Sequence, residues 1–173
     1  MGQTTFQGPV RSLGGFISQG PNTVAAVAGA TAAVTVAANA GKIMNVTAAT
    51  TVITLPAVNA SANPVSSGPG QDPNTLNNLG ATYTFFLPST ATSVAIVTTT
   101  GDFLLGQVSI AVSTGGAASV FAANGTSTTT ITLNGGTTGG IKGSVITIVA
   151  VAANVYMVQG SLLGTAVLAT PFS

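Results

Sequence analysis

The chain has 173 residues, and its only charges are Arg11, Lys42, Asp72, Asp102 and Lys142. Charged residues make up 3% of it, against about 25% in an ordinary soluble domain. Histidine, cysteine, tryptophan and glutamate are absent, so there is no imidazole or thiolate metal ligand, no disulfide, no thiol nucleophile and no His general base. The two carboxylates, Asp72 and Asp102, both stand in turn-like contexts without a local acidic partner, so a non-enzyme with no cofactor is expected. A net charge of +1 with no run of Lys or Arg gives no electrostatic footprint for nucleic acid.

The first twenty residues, MGQTTFQGPVRSLGGFISQG, hold six Gly or Pro residues and two isolated aromatics. They read as an extended N-terminal arm, residues 1–22, that cannot form a core by itself. Its candidate partner-binding residues are Phe6, Pro9, Val10, Arg11, Leu13 and Phe16, with the apolar ones as anchors.

Residues 23–173 read as one β-domain. Val34 and Val36 alternate with Thr35 and Ala37. Gly29 and this alternation argue against a helix over 24–40, despite its alanines. Strand-like runs follow at 42–46 and 51–55. A long loop is expected at about 59–79, where Pro64, Gly68, Pro69, Gly70 and Pro73 cluster; loops this long are often functional or mobile. Further strands are expected at 81–87, 93–98, 103–112, 118–122, 128–133, 144–151 and 155–159, all rich in Thr, Val and Ile. Asn124-Gly125 and Asn134-Gly135 are tight-turn signals. The expected fold class is therefore all-β: an antiparallel β-sandwich or barrel of about nine or ten short strands with an extended N-terminal arm. No exact internal repeat is visible, which makes a β-solenoid the weaker architecture.

The most apolar window, Ser144–Leu163, contains Asn154, Gln159 and Gly160 and lacks basic or aromatic flanks, so no membrane span is expected. The Met1 end has no basic region leading into an apolar core, so no signal peptide is expected. Three Asn-x-Ser/Thr triplets, at Asn45, Asn59 and Asn124, fit chance in a Ser/Thr-rich chain. Gly135–Gly140 lacks the lysine and following helix of a phosphate loop. Tyr83 and Tyr156 could stack on sugars but read better as packing residues. Of the adjacent Phe85 and Phe86, one should fill the core and the other face outward.

The segment Thr4-Thr5-Phe6-Gln7-Gly8-Pro9-Val10-Arg11-Ser12-Leu13-Gly14-Gly15-Phe16 resembles the opening of small virion structural proteins of tailed phages, particularly marine and cyanobacterial ones. Gly41-Lys42-Ile43, Thr54-Leu55-Pro56-Ala57, Thr82-Tyr83-Thr84-Phe85, Ile131–Gly135, Thr138–Gly143 and the closing Thr170-Pro171-Phe172 are similar to theirs too. The likeness spans most of the chain. It implies a capsid decoration (cement) protein on the virion surface, made in the host cytoplasm. The implied partner is the major capsid protein, and the implied assembly a homotrimer, with no membrane or small-molecule substrate. The alternative is a head fibre or tail adhesin that binds host glycans.

Overall fold

The computed structural model describes residues 24–61, 77–165 and 167–173. The described chain is mostly β, with eleven strands and one helical turn. The strands are β1 (Val24–Val27), β2 (Thr31–Ala33), β3 (Ile43–Val46), β4 (Thr50–Thr54), β5 (Thr82–Phe86) and β6 (Ser93–Val97). They continue as β7 (Phe103–Val112), β8 (Ala118–Asn124), β9 (Thr130–Leu133), β10 (Val145–Ala152) and β11 (Val155–Gly164). They form a seven-stranded sheet in the order β1-β3-β5-β10-β11-β7-β8 and a four-stranded sheet in the order β2-β4-β6-β9.

The expected all-β class stands, but the antiparallel arrangement and the barrel do not. Both sheets are mixed and neither closes on itself. The reason lies in the first six strands, which alternate between the sheets, so each strand lies parallel to the one two places earlier. The pairs β1–β3, β3–β5, β2–β4 and β4–β6 are all parallel. These strands wind as three stacked coils, each contributing one strand to each sheet. The coil is therefore solenoid-like, contrary to the sequence expectation: what repeats is backbone geometry rather than residue identity.

The corners hold the coils in register. Val27 O accepts from the N–H groups of Thr47 (2.9 Å) and Ala48 (3.1 Å), and Ala49 O from those of Thr92 (2.7 Å) and Ser93 (3.0 Å). Each corner carbonyl thus anchors the next coil, which satisfies backbone groups that a hairpin would pair locally. After β6 the chain changes habit. Strands β7 and β8 pair antiparallel, as do β10 and β11, and β11 closes onto β7 in parallel.

The alternation expected at 34–37 is a second departure. Thr35 caps a short helix, α1 (Val36–Asn39), by accepting from Ala38 N, while the Thr35 N–H donates to Asn39 Oδ1 at 2.9 Å. This reciprocal cap wins over a strand pattern too short to pair.

Both sheets contribute to one buried cluster. Met44, Phe85 and Ile146 stand side by side on β3, β5 and β10 and are fully buried. Ile53, Ile96 and Ile131 do the same on β4, β6 and β9. Burying each such side chain contributes about 1.5–3 kcal/mol relative to exposure. Phe85 fills the core and Phe86 is half-buried on the opposite face, as period-2 alternation requires. The apolar window 144–163 lies largely in β10 and β11, and among the described residues no helix is long and apolar enough to cross a membrane.

Candidate functional site

Phe6, Pro9, Val10, Arg11, Leu13 and Phe16 lie outside the described residues, as do Asp72 and positions 62–76 of the expected long loop. The structure does describe the neck from which that loop leaves, and a dense set of hydrogen bonds holds the neck to the body. Thr99 Oγ1 donates to Leu55 O at 2.7 Å, and the Tyr156 hydroxyl to Pro56 O at 2.6 Å. Asn78 Nδ2 donates to Ala57 O at 2.8 Å. Val58 N–H donates to Asp102 Oδ2, and Asn59 N–H to Asn78 Oδ1, both at 2.8 Å. Asn78 N–H returns to Asn59 O at 2.9 Å. Five consecutive residues, 55–59, are thereby pinned by side chains from β11 and two loops, and the ends of the 62–76 segment are tied to each other.

Asp102 belongs to this clamp. It sits in a turn after Gly101, where its N–H donates to Thr99 O at 3.0 Å, in line with the turn reading. Its carboxylate is not at the surface: the residue is 4% exposed. Burial raises its carboxyl above the ordinary value, opposed by the hydrogen bond from Val58. Asn78 is buried as well and uses both ends of its amide. Local sequence carried no sign of these contacts, because Val58 and Asp102 are 44 positions apart.

Tyr83 and Tyr156 are fully buried, so both are packing residues and neither offers a face to a sugar. Burial pushes the Tyr83 hydroxyl up from 10.0 to about 12. Tyr156 is raised further, by burial first and then by the charges of Tyr83 and Asp102.

A second feature is the outer face of the seven-stranded sheet. One row across it reads Val24, Ile43, Thr84, Thr147, Gln159, Gln107, Ala122. The next reads Ala26, Asn45, Phe86, Val145, Ser161, Ser109, Val120. No charge occurs in either row. Thr84 and Thr147 hydroxyls meet at 3.3 Å within it. Among the described residues the charges lie elsewhere: Lys42 precedes β3, Lys142 lies in the loop before β10, and Asp102 is in the clamp.

No family model, curated protein or solved structure matches the chain.

The two Asn-Gly turns share one construction. Asn124 Oδ1 accepts from the N–H groups of Thr126, Ser127 and Thr128, and Asn134 Oδ1 from those of Gly136 and Thr138. In each, the asparagine Nδ2 donates to the hydroxyl three residues on and its N–H to the hydroxyl four residues on. The pattern Asn-Gly-x-Ser/Thr-Thr recurs ten residues apart, a signal that goes beyond the two Asn-Gly pairs read from the sequence. These turns lead between sheets or into a loop rather than closing two-residue hairpins.

Proposed function

We propose that the chain is a non-catalytic virion structural protein, a capsid decoration protein that binds the outer surface of the major capsid protein lattice and stabilises the head. The body would be a two-layered β-sandwich, assembled as a trimer, with the arm 1–22 reaching onto the capsid. The observation that carries this reading is the charge-free outer face of the seven-stranded sheet. Many copies crowded on one particle would repel one another if strongly charged; a face of Thr, Ser, Gln, Asn and Val removes that cost at close spacing. The resemblance of residues 4–16 to tailed-phage virion proteins adds to it.

Binding without charge has to use apolar anchors and backbone hydrogen bonds. An extended arm can add as a strand to an exposed sheet edge, with Phe6, Val10 and Phe16 as anchors and Arg11 as the one directed ionic contact. Ordering such an arm costs about 1–2 kcal/mol per residue of backbone. Three arms on one trimer offset this through avidity. The neck clamp fits the same design, since it holds the base of a second long segment fixed on the body.

The three parallel coils favour a second reading, a head fibre or tail adhesin. Coils that stack in parallel grow along one axis, as fibres do. The burial of both tyrosines removes the obvious aromatic platforms for a glycan.

The test is rebinding. Purified chain is added to heads stripped of it and co-sedimented, alongside a chain lacking residues 1–22. Stoichiometric binding that is lost with the arm supports decoration. Binding to host cells but not to heads supports the adhesin.

A further inference from the structure

Among the described residues the two sheets have four edges, and three of them are short or covered. The β1 edge is four residues and the β2 edge three. The β9 edge is taken by the C-terminal segment: Thr132 N–H donates to Pro171 O at 2.8 Å, Thr130 N–H to Ser173 O at 2.9 Å, and Ser173 N–H returns to Thr130 O at 3.1 Å. The fourth edge, β8, is seven residues long and pairs with β7 through an unbroken register. It has no bulge, no proline and no charge, and no charged residue occurs anywhere from 103 to 141. Those are the devices that normally stop an edge from recruiting another strand.

The hydrogen-bond parity of the edge follows from its ends. Gly125 N–H donates to Leu104 O, and Val112 N–H to Ala117 O. Residues 119, 121 and 123 therefore exchange both backbone bonds with β7, and Ala118, Val120 and Ala122 direct their N–H and C=O groups outward. Asn124, the last residue of the strand, has its N–H closed by Thr128 Oγ1 at 3.3 Å. Among the described residues the open run is thus Ala118–Ala122, centred on Val120, which is 62% exposed.

We infer that this edge pairs with the same edge of a second copy, antiparallel across a two-fold axis at Val120. Parity together with pairing of the whole open run sets the register: Val120 opposes Val120 of the second copy, and Ala118 opposes Ala122. Only outward-directed N–H and C=O groups then bond across the axis, giving about six backbone hydrogen bonds, with Ser119 opposite Phe121 in the non-bonded positions between them. The run Ala-Ser-Val-Phe-Ala places small side chains at both ends and the valine at the centre, so it opposes its own copy without clash or charge repulsion. The two Val120 side chains come together on the outer face, and the seven-stranded sheets become one continuous sheet. A two-fold contact of this kind is distinct from a three-fold trimer contact and does not depend on the capsid reading.

The chain has no cysteine, so a single introduced thiol reports its own neighbourhood. At the proposed axis the two Cα atoms of residue 120 would lie about 5.5 Å apart, within disulfide range. Those of residue 122 would lie roughly 14 Å apart, beyond it. On mild oxidation with diamide, the full chain carrying Val120→Cys should run as a covalent dimer on a denaturing gel, and the chain carrying Ala122→Cys should stay monomeric. By sedimentation equilibrium, Val120→Lys should weaken self-association at least tenfold with unchanged circular dichroism, since Val120 makes no backbone bond to β7. Equal cross-linking of the two cysteine variants, wild-type chain that sediments as a monomer, or a Val120→Lys dissociation constant within twofold of wild type would each overturn the pairing.

Discussion

The rings of Tyr83 and Tyr156 meet edge to face, with centroids 6.4 Å apart and planes at 66°, yet only one of the two hydroxyls has a partner. Tyr156 donates to Pro56 O, whereas the Tyr83 hydroxyl is buried and unpaired. The pair packs as aromatic pairs prefer. The polar handles, however, have opposite consequences.

Removing each hydroxyl should therefore move stability in opposite directions. Tyr156→Phe leaves Pro56 O without its donor and should cost about 1–3 kcal/mol. Tyr83→Phe deletes an unsatisfied polar group and should be neutral or stabilising by up to about 1 kcal/mol. Thr51, whose buried Oγ1 also has no partner, should behave like Tyr83 on Thr51→Val. Urea unfolding of the three variants checks the signs.

The clamp gives stability a defined dependence on pH. Burial raises the Asp102 carboxyl, so the folded chain keeps its proton where the unfolded chain has released it. This contribution is complete below the ordinary carboxylate value of about 4 and is lost as pH rises through the raised value. Unfolding free energy should fall over that interval, and Asp102→Asn, which keeps an acceptor for Val58, should flatten the slope. The background is small, because Asp72 and the C-terminus are the only other carboxylates. Denaturant titrations between pH 3 and 7 read the difference.

Alkaline pH acts with the same sign through Tyr83. Its hydroxyl is pushed up to about 12 from 10.0, so stability should drop as pH rises between these values. Tyr83→Phe should remove part of that drop, measured by thermal melting from pH 9 to 12.

Gly106 occupies the middle of β7 at φ +131, and a Cβ there would strike the carbonyl oxygen of Val158 on β11. Side chains rarely adopt that φ, and the obstruction is backbone rather than a flexible tip. Gly106→Ala should cost about 3 kcal/mol or more in denaturant unfolding. Gly115→Ala, at a site with only an ordinary contact 3.9 Å away, serves as the mild control.

Much of the fold was legible where burial alternates along one strand. β7 runs over Phe103–Val112, the segment read from its pattern, and β10 starts within a residue of its expected position. Strand direction was not legible. The corners at 28–30, Ala-Gly-Ala, and 47–49, Thr-Ala-Ala, carry the chain from one sheet to the other with nothing in their residues to mark it. β1 was missed because Val-Ala-Ala-Val has no polar alternation to mark it. The clamp was invisible for a different reason: its polar partners are distant in sequence, and Asp102 looks like any turn aspartate until Val58 is placed against it. The open β8 edge needed hydrogen-bond parity, which only the register supplies.

The measurement that bears most directly on the proposed function is cryo-electron microscopy of the tailed-phage virions in which the proposal places the chain, before and after a treatment that strips decoration proteins. The account predicts difference density on the outer head surface at repeated lattice sites, with an extended arm running onto the capsid protein. Density confined to the tail or to sparse fibres, or particles that lack the chain altogether, would contradict it.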